Sequence, residues 1–114
     1  MSDEALRRKL ERLERLERIV ATCPADPFPY YARALELRGL GRCVEALEAL
    51  VALQQAHPGY VPTYLMAAQT AVELGRLEQA RDLCQRGLAA ARAAGDKKAE
   101  SEIAALLGSL RPGH

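Results

Sequence analysis

Between residues 4 and 22 apolar side chains recur every three or four positions, at Leu6, Leu10, Leu13, Leu16, Ile19 and Val20, with charged residues between them. That spacing keeps one side of an α-helix apolar and predicts a single amphipathic helix. Ser2 stands where its hydroxyl can cap the first turn, with Asp3 and Glu4 at the positive end of the helix dipole. Glu4/Arg8, Glu11/Arg15 and Glu14/Arg18 are opposite charges four apart, which meet on a helix surface. Helical spacing returns ahead of Gly41 and of Gly75, and each glycine is placed to end a helix in the left-handed conformation. Asp26 before Pro27 is a start signal: a capping carboxylate, then a residue that needs no backbone donor in the first turn. Pro62 does the same for the third helix. After Gly95 and Asp96, residues 97–109 form a last helix with Ile103, Leu106, Leu107 and Leu110 inward and Lys97, Lys98, Glu100 and Glu102 outward. The tail Arg111 to His114 is expected to fray.

The pattern also repeats on a longer scale. A shift of 34 residues lays Pro27–Pro58 over Val61–Arg92. It matches Tyr30 with Tyr64, Ala34 with Ala68, Leu40-Gly41-Arg42 with Leu74-Gly75-Arg76, Ala46 with Ala80 and Ala56 with Ala90. Alanine matches carry little weight in so alanine-rich a chain, so the Tyr and Leu-Gly-Arg rows carry most of it. Each row has a mechanical reason. Ala34 facing Ala46, and Ala68 facing Ala80, let two helix axes approach closely, while Tyr30 and Tyr64 fill the wider end. The shift also takes Pro58 back to Pro24, so residues 1–22 hold the second helix of an incomplete earlier unit.

An aromatic early in the first helix, a small residue one turn on, Leu-Gly-Arg at the turn, Ala five residues after the Gly and Pro58 at the close together resemble the tetratricopeptide repeat family. The resemblance covers residues 27 to about 94. It implies an all-α fold in which antiparallel helical hairpins stack as a short right-handed solenoid of about six helices. One domain, 1–114, would comprise an N-terminal helix in 1–26, repeat 1 in 27–60, repeat 2 in 61–94, and a capping helix with tail in 95–114. There are two departures: Arg33 stands in a row that is usually an apolar core position, and Arg92 stands where the closing proline belongs. The second implies a longer final repeat helix. Repeat arrays need a polar-backed terminal helix, and residues 97–109 supply one.

Composition supports the all-α class, because Ala, Leu, Glu and Arg dominate and lose little rotamer freedom in helices. Sixteen Lys and Arg against fifteen Asp and Glu leave a formal net charge of +1. No long-range field gathers phosphate or an anionic surface, so neither nucleic acid nor membrane is an expected partner. No run is long and apolar enough to span a bilayer. Met1 to Arg8 has no stretch that would serve as a secretory signal, and cytoplasmic residence is expected. Cys23, Cys43 and Cys84 are odd in number and lack the spacing of a zinc site or redox pair, so reduced thiols are expected, Cys43 and Cys84 on inward-facing rows. His57 lies in a turn and His114 at the end, neither spaced to a nucleophile, and the glycines stand singly. No catalytic residue, cofactor or metal is expected.

Binding chemistry is easier to place. In the first helix of repeat 1, Tyr30, Ala34 and Leu37 make the hairpin stripe, and one residue on, Phe28, Tyr31, Leu35 and Arg38 make a second. The matching set in repeat 2 is Pro62, Leu65, Gln69 and Val72. The family resemblance implies that first helices line a concave groove, so these residues would face a protein or peptide partner. Such a groove is apolar with Arg38 as its charged handle. It suits an amphipathic helix or extended apolar segment. With only Arg38 and Gln69 available, a clamp for a free C-terminal carboxylate is not expected. The alternative reading is that Tyr31, Leu35, Leu65 and Val72 only pack first helices together. A rival function is self-assembly: the stripe of Leu6, Leu10 and Leu13 outruns one neighbouring hairpin and could pair with a second copy as a homodimer, the alternative being that the helix only packs against the first repeat.

Overall fold

The computed structural model describes residues 2–110, and the tail expected to fray, Arg111–His114, lies outside them. Six helices follow one another among the described residues: α1 (Asp3–Thr22), α2 (Pro27–Gly39), α3 (Cys43–Ala56), α4 (Pro62–Glu73), α5 (Leu77–Ala94) and α6 (Lys97–Ser109). Each packs on the next, and α4 also reaches α6. The array is thus a layered stack of antiparallel neighbours, all-α as expected.

Local signals set the boundaries. The Ser2 hydroxyl accepts from the Ala5 amide at 3.1 Å, the Asp26 carboxylate from Phe28 at 3.1 Å, and the Asp96 carboxylate from Ala99 at 3.0 Å. At the α2–α3 turn Gly41 takes φ 79°. There the Arg42 amide donates back to the Leu37 carbonyl at 2.9 Å and Gly41 to Arg38 at 3.0 Å. Gly75 at φ 74° repeats the device, with Arg76 donating to Ala71 at 2.8 Å. These paired bonds satisfy carbonyls that a helix end otherwise leaves open. The final repeat helix is the longer one: α5 has 18 residues against 14 for α3. Without a proline at Arg92, it runs on to the left-handed Gly95.

The core lies between the hairpin layers. Ala34, Ala46, Ala68 and Ala80 are all wholly buried. Leu47, Leu50, Tyr64, Leu83, Cys84 and Ile103 join Ala34, Ala68 and Ala80 in one cluster, which Leu106 and Leu107 of α6 flank from outside. Burial also pushes the Cys84 thiol pKa up. Cys43 is only half-buried, at the first turn of α3, and so is no core residue. A smaller cluster of Leu13, Leu37 and Ala46 ties α1 to the first hairpin. Arg12 reinforces that seam with an ion pair to Glu36 at 2.7 Å, and Lys9 donates to the Gly39 carbonyl at 3.0 Å.

The two hairpins are not packed alike. In the second, Tyr64 is sealed and its hydroxyl donates to the Pro58 carbonyl at 2.5 Å. Gly87 makes this possible, since a Cβ there would stand 2.7 Å from the Tyr64 Cβ and 3.1 Å from Ile103 Cδ1. In the first hairpin Leu53 holds the row of Gly87 and Arg33 the row of Ala67, and Tyr30 stays half-buried. Tyr30 therefore fills the wide end less completely than Tyr64 does.

Gly87→Ala separates two opposing effects. Alanine favours the helix by about 1 kcal/mol, but overpacking a tight core costs typically ~1–3 kcal/mol. The Tyr64 Cβ is fixed to the backbone and cannot swing aside, so a net loss of stability is expected, read as a lower melting temperature by circular dichroism. A variant as stable as the parent would mean that α4 and α5 can part at no cost.

Candidate groove across the first helices

The first helices of the successive layers, α2 and α4, are followed on the same side by α6. A cavity of about 190 Å³ spans all three and is lined by Tyr31 from α2, Val61, Pro62, Leu65 and Met66 at α4, and Asp96, Ala99, Glu102 and Ile103 at α6. Its floor is apolar and its α6 rim carries two carboxylates. The Asp96 carboxylate is engaged in capping its own helix. Glu102 is 3.8 Å from Lys98 across an exposed pair, so it is only weakly held.

Of the residues expected to face a partner, Tyr31 and Leu65 share this cavity, with Pro62 beside them. Phe28 stands outside it in the first turn of α2 and, among the described residues, is the most exposed large apolar side chain, at 60%. Leu35, Gln69 and Val72 are half-buried further along the helices. Tyr31, Leu65 and Val72 each rest on the buried core. They support the helix packing and keep part of their surface open.

Arg38 differs from the handle expected of it. Its guanidinium forms an ion pair with Glu73 at the end of α4 and lies against the Met66 sulfur. The cation is thus neutralised within the chain, and it fastens α2 to α4. The open charge on the groove is acidic, at Glu102.

Met66, Ala99 and Glu102 line the groove without having been expected there. Tyr60 meets Tyr31 edge to face, ring centroids 5.9 Å apart, and so fixes the Tyr31 ring. A sequence signal for Ala99 exists: shifting Leu65 by the repeat length gives Ala99, so Tyr31, Leu65 and Ala99 form one row. The third member belongs to the capping helix of residues 97–109.

Among the three leucines expected to serve self-association, Leu13 is 5% exposed and belongs to the seam with Leu37 and Ala46. Leu6 and Leu10 remain open, at 40% and 42%. Ile19 is also exposed, but nine residues, two and a half turns, place it on the opposite side of α1 from Leu10. No helix among the described residues is long and apolar enough to cross a membrane.

A sequence model of the tetratricopeptide repeat matches residues 37–110. No curated protein matches the chain. Among solved structures, a tetratricopeptide repeat domain protein from Salinibacter ruber is 31% identical, over 76% of this chain and 88% of that one, with a TM-score of 0.73. A protein from Bordetella parapertussis is 26% identical, over 86% of this chain and 85% of that one, also at 0.73. PcrH, solved in complex with the chaperone binding region of PopD, is 16% identical over 96% of this chain and 93% of that one, at 0.75.

The groove's phenols set a pH dependence. Burial raises the Tyr31 pKa, the neighbouring Tyr60 raises it further, and Arg38 partly offsets both. Burial, then Asp26, raises Tyr60. A phenol whose folded pKa is raised holds its proton more tightly in the folded chain. Its contribution to stability is therefore full below the unfolded value of about 10 and is lost as pH rises through the folded one. Denaturant midpoints should fall above about pH 10, and less steeply in Tyr31→Phe. An identical fall in that variant would remove Tyr31 as a cause.

Proposed function

The chain belongs to the tetratricopeptide repeat family, and from that premise we propose that it is an adaptor or scaffold whose groove holds a helical or extended segment of a protein partner. The cavity of about 190 Å³ shared by α2, α4 and α6 carries this reading. It is smaller than the ~300–1,000 Å³ of a drug-sized ligand pocket and suits one or two apolar anchors of a longer segment. Phe28 extends the apolar surface beyond the cavity along α2. PcrH, a chain of the same fold, is seen holding a region of another protein, so the architecture is compatible with such an occupant.

The chemistry of the occupant follows from the lining. Tyr31, Leu65, Met66 and Ala99 favour an apolar side chain, and Glu102 at the rim favours a basic residue nearby. Because Arg38 is engaged with Glu73, an acidic handle on the partner gains nothing there. Tyr31 suits the role of anchor. An aromatic offers a large contact area at low entropic cost, and truncating such a residue often weakens binding by ~2 kcal/mol or more.

Partners captured from a cell extract by the parent chain are expected to be lost, or weakened more than about tenfold, by Tyr31→Ala and by Leu65→Glu. Both variants are expected to keep their helical circular dichroism. Retention of every partner by two folded variants would refute the groove.

A further inference from the structure

A second cavity, of about 240 Å³, opens between α2 and α3 of the first hairpin, beside the α1–α2 turn. It lies away from the groove. Tyr30 and Arg33 line it, whereas the adjacent Tyr31 lines the groove. Its other walls are Leu53, three alanines of α3, Pro24 and His57.

The equivalent place in the second hairpin is filled. There Ala67 replaces Arg33 and is wholly buried, Leu83 replaces Ala49 and is 3% exposed, and Tyr64 closes over Gly87. The first hairpin thus has both a space and a charge where its twin has neither. Arg33 is half-buried, and its Nε is shut off from solvent with no hydrogen-bond partner among the described residues. The guanidinium carbon lies 5.6 Å from the centre of the Tyr30 ring, a stacking contact that places the cation without neutralising it. Elsewhere in the stack Arg12, Arg38, Arg81 and Arg92 each meet a carboxylate. No Asp or Glu lines this cavity. A buried donor left unpaired is costly, more so on a charged group, so the site favours an anion that can reach it.

We propose that this cavity binds a small organic monocarboxylate, its carboxylate against the Arg33 guanidinium and its apolar body beside Tyr30 and Leu53. The guanidinium fork matches a carboxylate through paired hydrogen bonds. One cation balances one negative charge. A phosphate monoester carries about −1.5 to −2 at neutral pH and would leave charge uncompensated against an apolar wall. The volume falls below the ~300–1,000 Å³ of drug-sized pockets, which limits the ligand to the size of benzoate or a short branched fatty acid.

Benzoate titrated into the full chain, followed by amide proton–nitrogen correlation spectra, is the test. Saturable shifts are expected at Tyr30, Arg33, Ala49 and Leu53, with a Kd on the order of 1 mM. Benzamide, of the same shape without the charge, should not produce them. Arg33→Leu restores an apolar residue to this row, so it should fold, melt no lower than the parent, and bind benzoate at least about tenfold more weakly. A blocked peptide whose only anion is a central glutamate should bind no better than benzamide. Absence of saturation, equal response to benzamide, undiminished binding in folded Arg33→Leu, or tighter binding of the peptide than of benzoate would each overturn the proposal.

Discussion

The stack depends on how closely two helices of one hairpin can approach. Ala34 and Ala46 in the first hairpin, and Ala68 and Ala80 in the second, place only methyl groups at their rows, and none of the four exposes any surface. Larger side chains there would push the helices apart and break the packing of each layer on the next. The tight turns act in the same direction. Gly41 and Gly75 reverse the chain within a few residues, so the second helix starts already close to the first. Because every layer is built this way, α2, α4 and α6 come side by side, and the groove is a consequence of that spacing rather than a separate device.

The same constraint is met differently in the two hairpins. In the second, Gly87 gives up a side chain so that Tyr64 can be sealed within the core. In the first, Leu53 keeps its side chain, Tyr30 stays half-buried, and Arg33 brings a cation into a row that is apolar in its twin. Identical register therefore produces one closed hairpin and one with a charged cavity. The two hairpins differ in side chain at two of these rows, Leu53 against Gly87 and Arg33 against Ala67.

Features that act within a few residues were legible in the sequence. Ser2, Asp26 and the turn glycines work through their immediate neighbours, and the repeat length made the alanine rows and the longer α5 readable. The misread features depend on distant partners. Arg38 reads as a free cation because Glu73, which neutralises it, lies 35 positions away. Leu13 reads two ways, packed on the first repeat or free to pair, because Leu37 and Ala46, which bury it, belong to other helices. The acidic rim was hidden for another reason. Glu102 lies on the polar back of a capping helix, whereas α6 also continues the row of first helices and so borders the groove.

On the proposed function, partners meet the chain on the α2, α4 and α6 side. Amide hydrogen exchange of the chain, alone and with a captured partner, tests it most directly. Slowed exchange on binding is predicted in the first turns of α2, in α4 around Leu65 and in the first half of α6, with α3 and α5 unchanged. Protection confined to α3 and α5, or to the start of α1, would contradict the account.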